Sequence, residues 1–386
     1  MYPFDGEFAE TSEATGFVIN AKKGFVVTNR HVAGPGPFWG WCIFNRKEEA
    51  PCRPLYIDPI HDFAVLQYEL SAIRYTHIDG LDLCPTRALC DQSVLIFGNN
   101  GGEEISQHHG SVTLVERNAP EYTDGYRDFN ISYYQINVNL SGGISGSPAL
   151  SADGSVLGIV SGARTDCASV SFVLPSTAIV KALKYLVRGE AVPRGDIRCR
   201  FRLTPLYECR GLGLSRDWED KLRKELPNRD ELLVADRVLS NGPAYGKILP
   251  GDIILDVNKV CVDNFEKLAD ILNQKVEQTV LVGLLRETEI MHAEIAVKNL
   301  DTIPDRLVRV GEMFCHDLSL VLAVRHGVPV EGVYVAESRE PTMIGDGCPD
   351  YIIQSINGRE LRNVDDFLAS LQEFRQGQSC DHSRRS

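Results

Sequence analysis

Between residue 12 and about residue 185, apolar positions come in short runs of β-branched and aromatic residues, broken by Gly, Pro or Asn. Gly16-Phe-Val-Ile-Asn20, Gly24-Phe-Val-Val-Thr28, Phe63-Ala-Val-Leu-Gln-Tyr68, Ser93-Val-Leu-Ile-Phe97 and Ser155-Val-Leu-Gly-Ile-Val160 are examples. Such runs suit a pleated surface and predict strands, and many at close spacing predict a barrel or sandwich. The pattern changes between Pro175 and Val187, where Ser-Thr-Ala-Ile-Val-Lys-Ala-Leu-Lys-Tyr-Leu carries apolar residues at helical spacing. Arg188-Gly-Glu-Ala-Val-Pro-Arg-Gly-Asp196 then reads as a linker.

Beyond the linker one pattern occurs twice. Ile253-Ile-Leu-Asp-Val-Asn258 matches Ile352-Ile-Gln-Ser-Ile-Asn357. Each is followed by a polar turn and an amphipathic helix, carrying Phe265, Leu268 and Leu272 in the first copy and Val364, Phe367 and Leu371 in the second. The shared order of strand, turn and helix predicts two copies of one module. The organisation expected is a β domain over residues 1–190, modules over 198–298 and 305–376, and a polar tail over 377–386. A chain of 386 residues has room for two or three domains at roughly 150 residues each.

Composition narrows the function classes. With 43% hydrophobic and 24% charged residues the chain has the balance of a globular protein with real cores. A net charge of −13 argues against non-specific nucleic-acid binding, which needs a basic footprint. No apolar run is long enough for a membrane span. The N-terminus has no basic stretch followed by an apolar one, so no secretory signal is expected. The 11 cysteines are odd in number, scattered, and never spaced Cys-x-x-Cys. Reduced thiols in a soluble intracellular protein, of nucleus or cytoplasm, fit this usage, and no metal site or cofactor is expected.

Three short motifs in the β domain carry the candidate chemistry: Thr28-Asn-Arg-His31-Val, Asp58-Pro-Ile-His-Asp62-Phe and Ser141-Gly-Gly-Ile-Ser145-Gly-Ser-Pro148. They offer His, Asp and Ser in the chain order of chymotrypsin-type hydrolases. A serine hydroxyl is a weak nucleophile at neutral pH. An imidazole must take its proton, and a buried carboxylate must hold that imidazole in the right tautomer. The glycines around Ser145 let the backbone turn so that the amides of Gly143 and Ser145 point at one spot, an oxyanion hole. His61 competes with His31 for the base and Asp58 with Asp62 for the acid. Strand alternation disfavours His61, because it adjoins Asp62. His108-His109 reads as a solvated turn, and Gly98-Asn-Asn-Gly-Gly102 as a β-turn lacking the Lys-Ser/Thr of a phosphate loop.

These motifs resemble the HtrA/DegP family of trypsin-like serine proteases with PDZ domains, and within it the branch of the fungal nuclear protease and the N-terminal half of its plant counterpart. Ser12-Glu-Ala-Thr-Gly-Phe-Val18, Thr28-Asn-Arg-His-Val-Ala-Gly-Pro-Gly-Pro-Phe38, Asn118-Ala-Pro-Glu-Tyr122 and Gly125-Tyr-Arg-Asp-Phe-Asn130 carry the closer likeness. The resemblance implies a mainly β chymotrypsin-like double β-barrel followed by two PDZ domains. It implies His31 as general base, Asp62 as orienting acid and Ser145 as nucleophile, with an oxyanion hole of Gly143, Ile144 and Ser145. Ser161, Gly162, Ala163 and Phe172 should border a pocket for a small or medium apolar side chain. Residues 116 to 130 match the loop that senses activation in the family.

Asn241-Gly-Pro-Ala-Tyr-Gly-Lys-Ile-Leu-Pro-Gly-Asp-Ile-Ile254 looks like a strong PDZ block, and the second copy, with Tyr351 in place of an Asp, like a weaker one. PDZ domains add C-terminal or extended peptides to a strand edge, and Gly211, Leu212, Gly213 and Leu214 are expected to catch the peptide carboxylate. Tyr2, Phe4 and Phe8 are the aromatics offered for a family-type trimer. The family normally has a further strand before residue 12 and another after the helix ending near Phe374; neither is expected in full here, since the stretch before residue 12 is short and Gly377-Gln-Ser-Cys-Asp-His-Ser-Arg-Arg-Ser386 is polar and strand-poor. The function implied is an ATP-independent serine endopeptidase acting on misfolded or exposed polypeptides. The alternative is a peptide-binding chaperone or scaffold with an idle site.

Overall fold

The computed structural model describes residues 13–33, 40–84, 86–120, 128–163, 170–227, 229–300, 306–311, 313–338 and 351–374. The predicted strands form two antiparallel sheets. The first joins β1 (Phe17–Asn20), β2 (Phe25–Thr28), β3 (Gly40–Phe44), β4 (Glu48–Ile57) and β5 (Ala64–Tyr68) in the order β1-β2-β5-β4-β3. Among the described residues this sheet is open rather than closed. The outer edge of β1 is partly covered, since the Leu81 N–H donates to Val18 O at 2.8 Å.

The second sheet is a closed barrel. Its strands are β6 (Ser93–Gly98), β7 (Ser106–Asn118), β8 (Ser132–Ile136), β9 (Pro148–Leu150), β10 (Val156–Ala163) and β11 (Ser171–Pro175), in the order β10-β11-β8-β7-β6-β9. One core ties the two halves together. Phe17, Val27 and Phe63 from the first pack with Tyr133, Ile159 and Phe172 from the second. Each such side chain, once buried, contributes about 1.5–3 kcal/mol. The helix predicted after Pro175 is present as Ser176–Leu186 and buries Ile179, Ala182 and Leu186 on this core.

His108 and His109 correct the turn expectation. They lie inside β7, His108 paired with Ile96 and His109 with Leu95. The His108 ring meets Ser106 Oγ at 2.8 Å. Ladder hydrogen bonds and cross-strand packing here override a polar local sequence.

Two α+β modules follow. The first contains β12 (Gly195–Asp196), β13 (Cys199–Pro205), β14 (Glu231–Val238), β15 (Ile253–Val257), β16 (Val260–Cys261), β17 (Thr279–Arg286), β18 (Glu289–Ala296) and β19 (Lys298–Asn299). Its main sheet runs β13-β14-β15-β17-β18. The helix Phe265–Gln274 covers it, burying Phe265, Leu268 and Leu272, and starts at Asn264, whose side chain accepts the Lys267 N–H at 2.9 Å. The second module orders β20 (Val308–Val310), β21 (Met313–Asp317), β22 (Val333–Ser338) and β23 (Tyr351–Ile353) in sequence. The pairing β21-β22-β23 repeats β13-β14-β15, and the helix Val364–Phe374 buries Val364 and Phe367 as the pattern predicts. No helix among the described residues is long and apolar enough to cross a membrane.

The first module is docked on the two-sheet β domain. Among the described residues β13 pairs with β14 on one side only, and on its other side two asparagines of the β domain stand in for a strand. Asn118 Nδ2 donates to Leu203 O (3.1 Å) while its Oδ1 accepts the Leu203 N–H (2.8 Å). Asn130 does the same for Cys199 O (2.9 Å) and the Phe201 N–H (2.7 Å). Lys181 reaches Glu266 at 3.0 Å, and Arg229 pairs with both Glu116 and Asp263.

Candidate active site

Three segments converge where the two sheets of the β domain meet. The first is Asn29-Arg30-His31, at the end of β2 and the start of the short helix Arg30–Ala33. The second is the turn from Asp58 to Phe63, between β4 and β5. The third is the Gly-rich loop from Ser141 to Ser147, before β9.

His31 faces Asp62. Its Nδ1 lies 2.8 Å from Asp62 Oδ2 and 3.0 Å from Oδ1, and its backbone N–H donates to Oδ1 at 3.0 Å. A carboxylate can only accept, so Nδ1 carries the hydrogen and the neutral ring keeps Nε2 open to take a proton. Asp62 is fully buried. Its own backbone is fixed twice: the N–H donates to Asp128 Oδ2 at 2.8 Å, and the carbonyl accepts from Asn29 Nδ2 at 3.0 Å. Asn29 Nδ2 also donates to Ser161 Oγ at 3.0 Å, which ties β10 of the barrel to the carboxylate turn.

The rivals fall elsewhere. Asp58 Oδ1 accepts the N–H groups of Ile60 (3.0 Å) and His61 (2.7 Å), so it closes the turn on itself. Burial pushes this carboxyl up, but the Arg194 guanidinium and these amides outweigh it and hold it below the usual carboxylate range. His61 is 6% exposed and turned toward Arg194. Burial, then the Arg194 charge, push its imidazole down to about 3, so it stays neutral.

The Gly-rich loop is pinned at both ends. The Thr15 N–H donates to Ser145 O (3.0 Å), the Gly146 N–H to Val160 O (2.9 Å) and the Ser147 N–H to Ile144 O (3.0 Å). The amides of Gly143, Ile144 and Ser145 donate to no group among the described residues. Gly143 and Gly146 have φ of +88° and +86°. A Cβ on Gly146 would strike Thr15 O and Thr28 Oγ1, so only glycine fits this approach to β2. Ser145 makes no hydrogen bond to His31. Such bonds often tighten only when substrate is bound.

Sequence reasoning missed three supports. Ile144 is 2% exposed, its side chain an anchor in the barrel core rather than a spectator. Asn100 Oδ1 receives the Ser141 N–H at 2.7 Å and Oγ at 2.9 Å, so the turn after β6 braces the loop. Asp128 is the third. None has a local signal stronger than a polar or apolar residue near a turn.

Two expectations need correction. The amides of Leu212, Gly213 and Leu214 already donate, to Cys209 O and Arg210 O, at 3.0–3.2 Å. Leu214 is buried and Gly213 packs on the Glu287 backbone. Gly211 ends the helix Leu206–Gly211. This turn is a packing joint with no amides to spare for a carboxylate. The pocket reading also shifts. Phe172 is 2% exposed in the shared core, with the Arg117 guanidinium 4.4 Å from its ring centroid, and Ser161 is 2% exposed with its hydroxyl on Asn29. Gly162 is half-buried in β10, and the side chain of Ala163 lies outside what is described. A cavity of about 370 Å³ opens between the β domain and the first module, lined by Lys181, Tyr185, Arg194, Phe265, Glu266 and Asp270. Residues 121–127 of the sensing loop and Tyr2, Phe4 and Phe8 lie outside the described residues.

Comparison with known proteins meets this geometry. Residues 14–159 match the trypsin-like peptidase domain family, and residues 301–376 a PDZ-like domain family. The pro-apoptotic serine proteases NMA111 of Pyricularia oryzae, Chaetomium globosum and Aspergillus niger are each 41% identical over 366 residues, 95% of this chain. This chain belongs with the HtrA-type serine proteases. It spans only 36% of the length of those relatives. Among solved structures, the HtrA-type protease AlgW with decapeptide aligns with a TM-score of 0.54 at 19% identity, over 75% of this chain and 83% of that one. A serine endoprotease from Yersinia pestis aligns at 0.50 and 20%, over 77% and 93%. These two likenesses show the fold. The PDZ-like match falls on the second module, the copy whose sequence block is the weaker of the two.

Proposed function

We propose that this chain is an ATP-independent serine endopeptidase that hydrolyses polypeptide through an acyl-enzyme. The observation that carries the reading is a buried carboxylate on His31 Nδ1 beside a loop whose three consecutive amides, Gly143 to Ser145, have no acceptor among the described residues. His31 Nε2 takes the Ser145 proton as Oγ attacks the scissile carbonyl. The oxyanion forms against the amides of Gly143, Ile144 and Ser145, where one such donor is worth roughly 10²–10³-fold in rate. As the C–N bond breaks, the imidazolium returns its proton to the leaving amine, with Asp62 balancing its charge. Water then repeats the cycle on the ester.

The PDZ-like region recruits or regulates polypeptide. In the docked arrangement the first module offers no open β13 edge, because Asn118 and Asn130 occupy it. Strand addition there requires the module to lift away. Casein digestion and fluorophosphonate labelling test the reading. Both are expected in the wild type and absent in Ser145→Ala. Labelling that survives Ser145→Ala would overturn the nucleophile. A wild type that is silent but still binds peptide would favour the idle scaffold.

A further inference from the structure

Arg194 stands at the joint between the peptidase domain and the first module. Its backbone belongs to the module: the Leu300 N–H donates to Arg194 O at 2.7 Å, and the Arg194 N–H donates to Asn299 Oδ1 at 3.3 Å. Its side chain runs the other way, under the turn that carries Asp62. Nη2 lies 3.0 Å from Asp58 Oδ1 and 3.4 Å from His61 Nδ1.

Asp58 is the keystone of that turn. Oδ1 accepts the Ile60 and His61 amides, and Oδ2 accepts the Tyr56 hydroxyl at 2.9 Å. The turn closes with the Asp58 N–H on Phe63 O (3.1 Å) and the Phe63 N–H on His61 O (2.8 Å). Asp62 therefore has little freedom once Asp58 is fixed. A carboxylate that is 1% exposed needs a counter-charge nearby. His61 does not supply it, being neutral. Arg30 Nη1 spends its contacts on the carbonyls of Asp58 and Pro59. The guanidinium of Arg194 faces the carboxylate itself.

We propose that Arg194 is a positioning residue for the catalytic aspartate: by pairing with Asp58 it fixes the turn that sets Asp62 against His31. This rests on the triad reading above. Arg194 touches no reacting atom; it acts through Asp58. A simple tether would stabilise module docking, as Ile60 already does with Phe129, Leu239 and Leu300 in one buried cluster, and would leave the chemistry at Ser145 alone.

The two roles separate in labelling kinetics on the full chain with a fluorophosphonate probe, which give a limiting rate kinact and a half-saturation KI. Arg194→Met is expected to lower kinact about tenfold to a hundredfold with KI little changed, because a misplaced general base slows proton transfer more than probe binding. Arg194→Lys, which keeps the charge, is expected to recover most of that loss. If the Met variant does not fold, the comparison passes to Asp58→Asn with Arg194→Met, where neither charge of the pair is left without the other, and a slowed kinact is again expected. A Met or double variant that labels at the wild-type kinact, or a Lys variant as slow as Met, overturns the proposal. Absence of labelling in the wild type, or labelling of Ser145→Ala, overturns the triad reading instead.

Discussion

In the second half of the peptidase domain, six strands close on themselves, and the loop bearing Ser145 hangs between two of them by backbone hydrogen bonds to Thr15 and Val160. In the first half, the five strands among the described residues form an open sheet, and His31 and Asp62 sit on turns at its end. Backbone bonds close the turn from Asp58 to Phe63, but four buried side chains add to them here: Asn29, Asp58, Asp128 and Arg194. A closed barrel fixes its loops through register, since every strand has two neighbours. An open sheet leaves its turns with fewer backbone partners, and buried polar side chains make up the difference. The Ser side of the site should therefore fail through backbone geometry, and the His–Asp side through lost polar contacts.

The largest effect expected is on the Ser side. Gly146→Ala places a methyl on Thr15 O at a positive φ and should cost about 3 kcal/mol or more, with peptidase activity lost. Denaturant melts and casein assays would check this, and a normally stable, active variant would break the comparison. Ile144→Ser comes next. It empties a buried site in the barrel core and should cost about 2–4 kcal/mol even though the amide is kept. On the His–Asp side, Asp128→Ala strips the acceptor from the Asp62 amide and the Tyr133 hydroxyl, at about 1–3 kcal/mol for each. It should lower kcat more than it raises KM.

The effect that vanishes at neutral pH is a pH slope. His61 stays neutral down to about 3 in the fold, against 6.5 when unfolded. Below 6.5 the unfolded chain thus binds one proton more, and stability falls with pH from 6.5 toward about 3, by up to about 1.4 kcal/mol per pH unit. Equilibrium unfolding across that window should show the slope, and His61→Gln should flatten it.

Much of this was legible in the chain. Strand runs, the closing helix at Ser176–Leu186 and the repeated strand–turn–helix pattern appear where periodicity puts them, because each depends on residues a few positions apart. The order His, Asp, Ser and the glycines around Ser145 pointed to the site for the same local reason. Periodicity could not show that His108 and His109 sit in a strand, since their pairing partners Ile96 and Leu95 come from another run. Nor could it expose the Gly211–Leu214 turn as a packing joint, because its amides are satisfied by the end of a helix whose closure local sequence only weakly marks.

The sequence by itself determined the residue types that can do the chemistry and the elements that carry them. Only the tertiary structure sets His31 against the buried Asp62, and His61 and Asp58 against Arg194. Both histidines follow strand-like runs, and both aspartates flank the same short turn. What separates them is which side chain meets a buried carboxylate and which meets Arg194, a contact across more than a hundred positions of chain. Short-range pattern is set by local geometry and solvent, whereas the choice of charge partner is set by what burial brings together from distant segments.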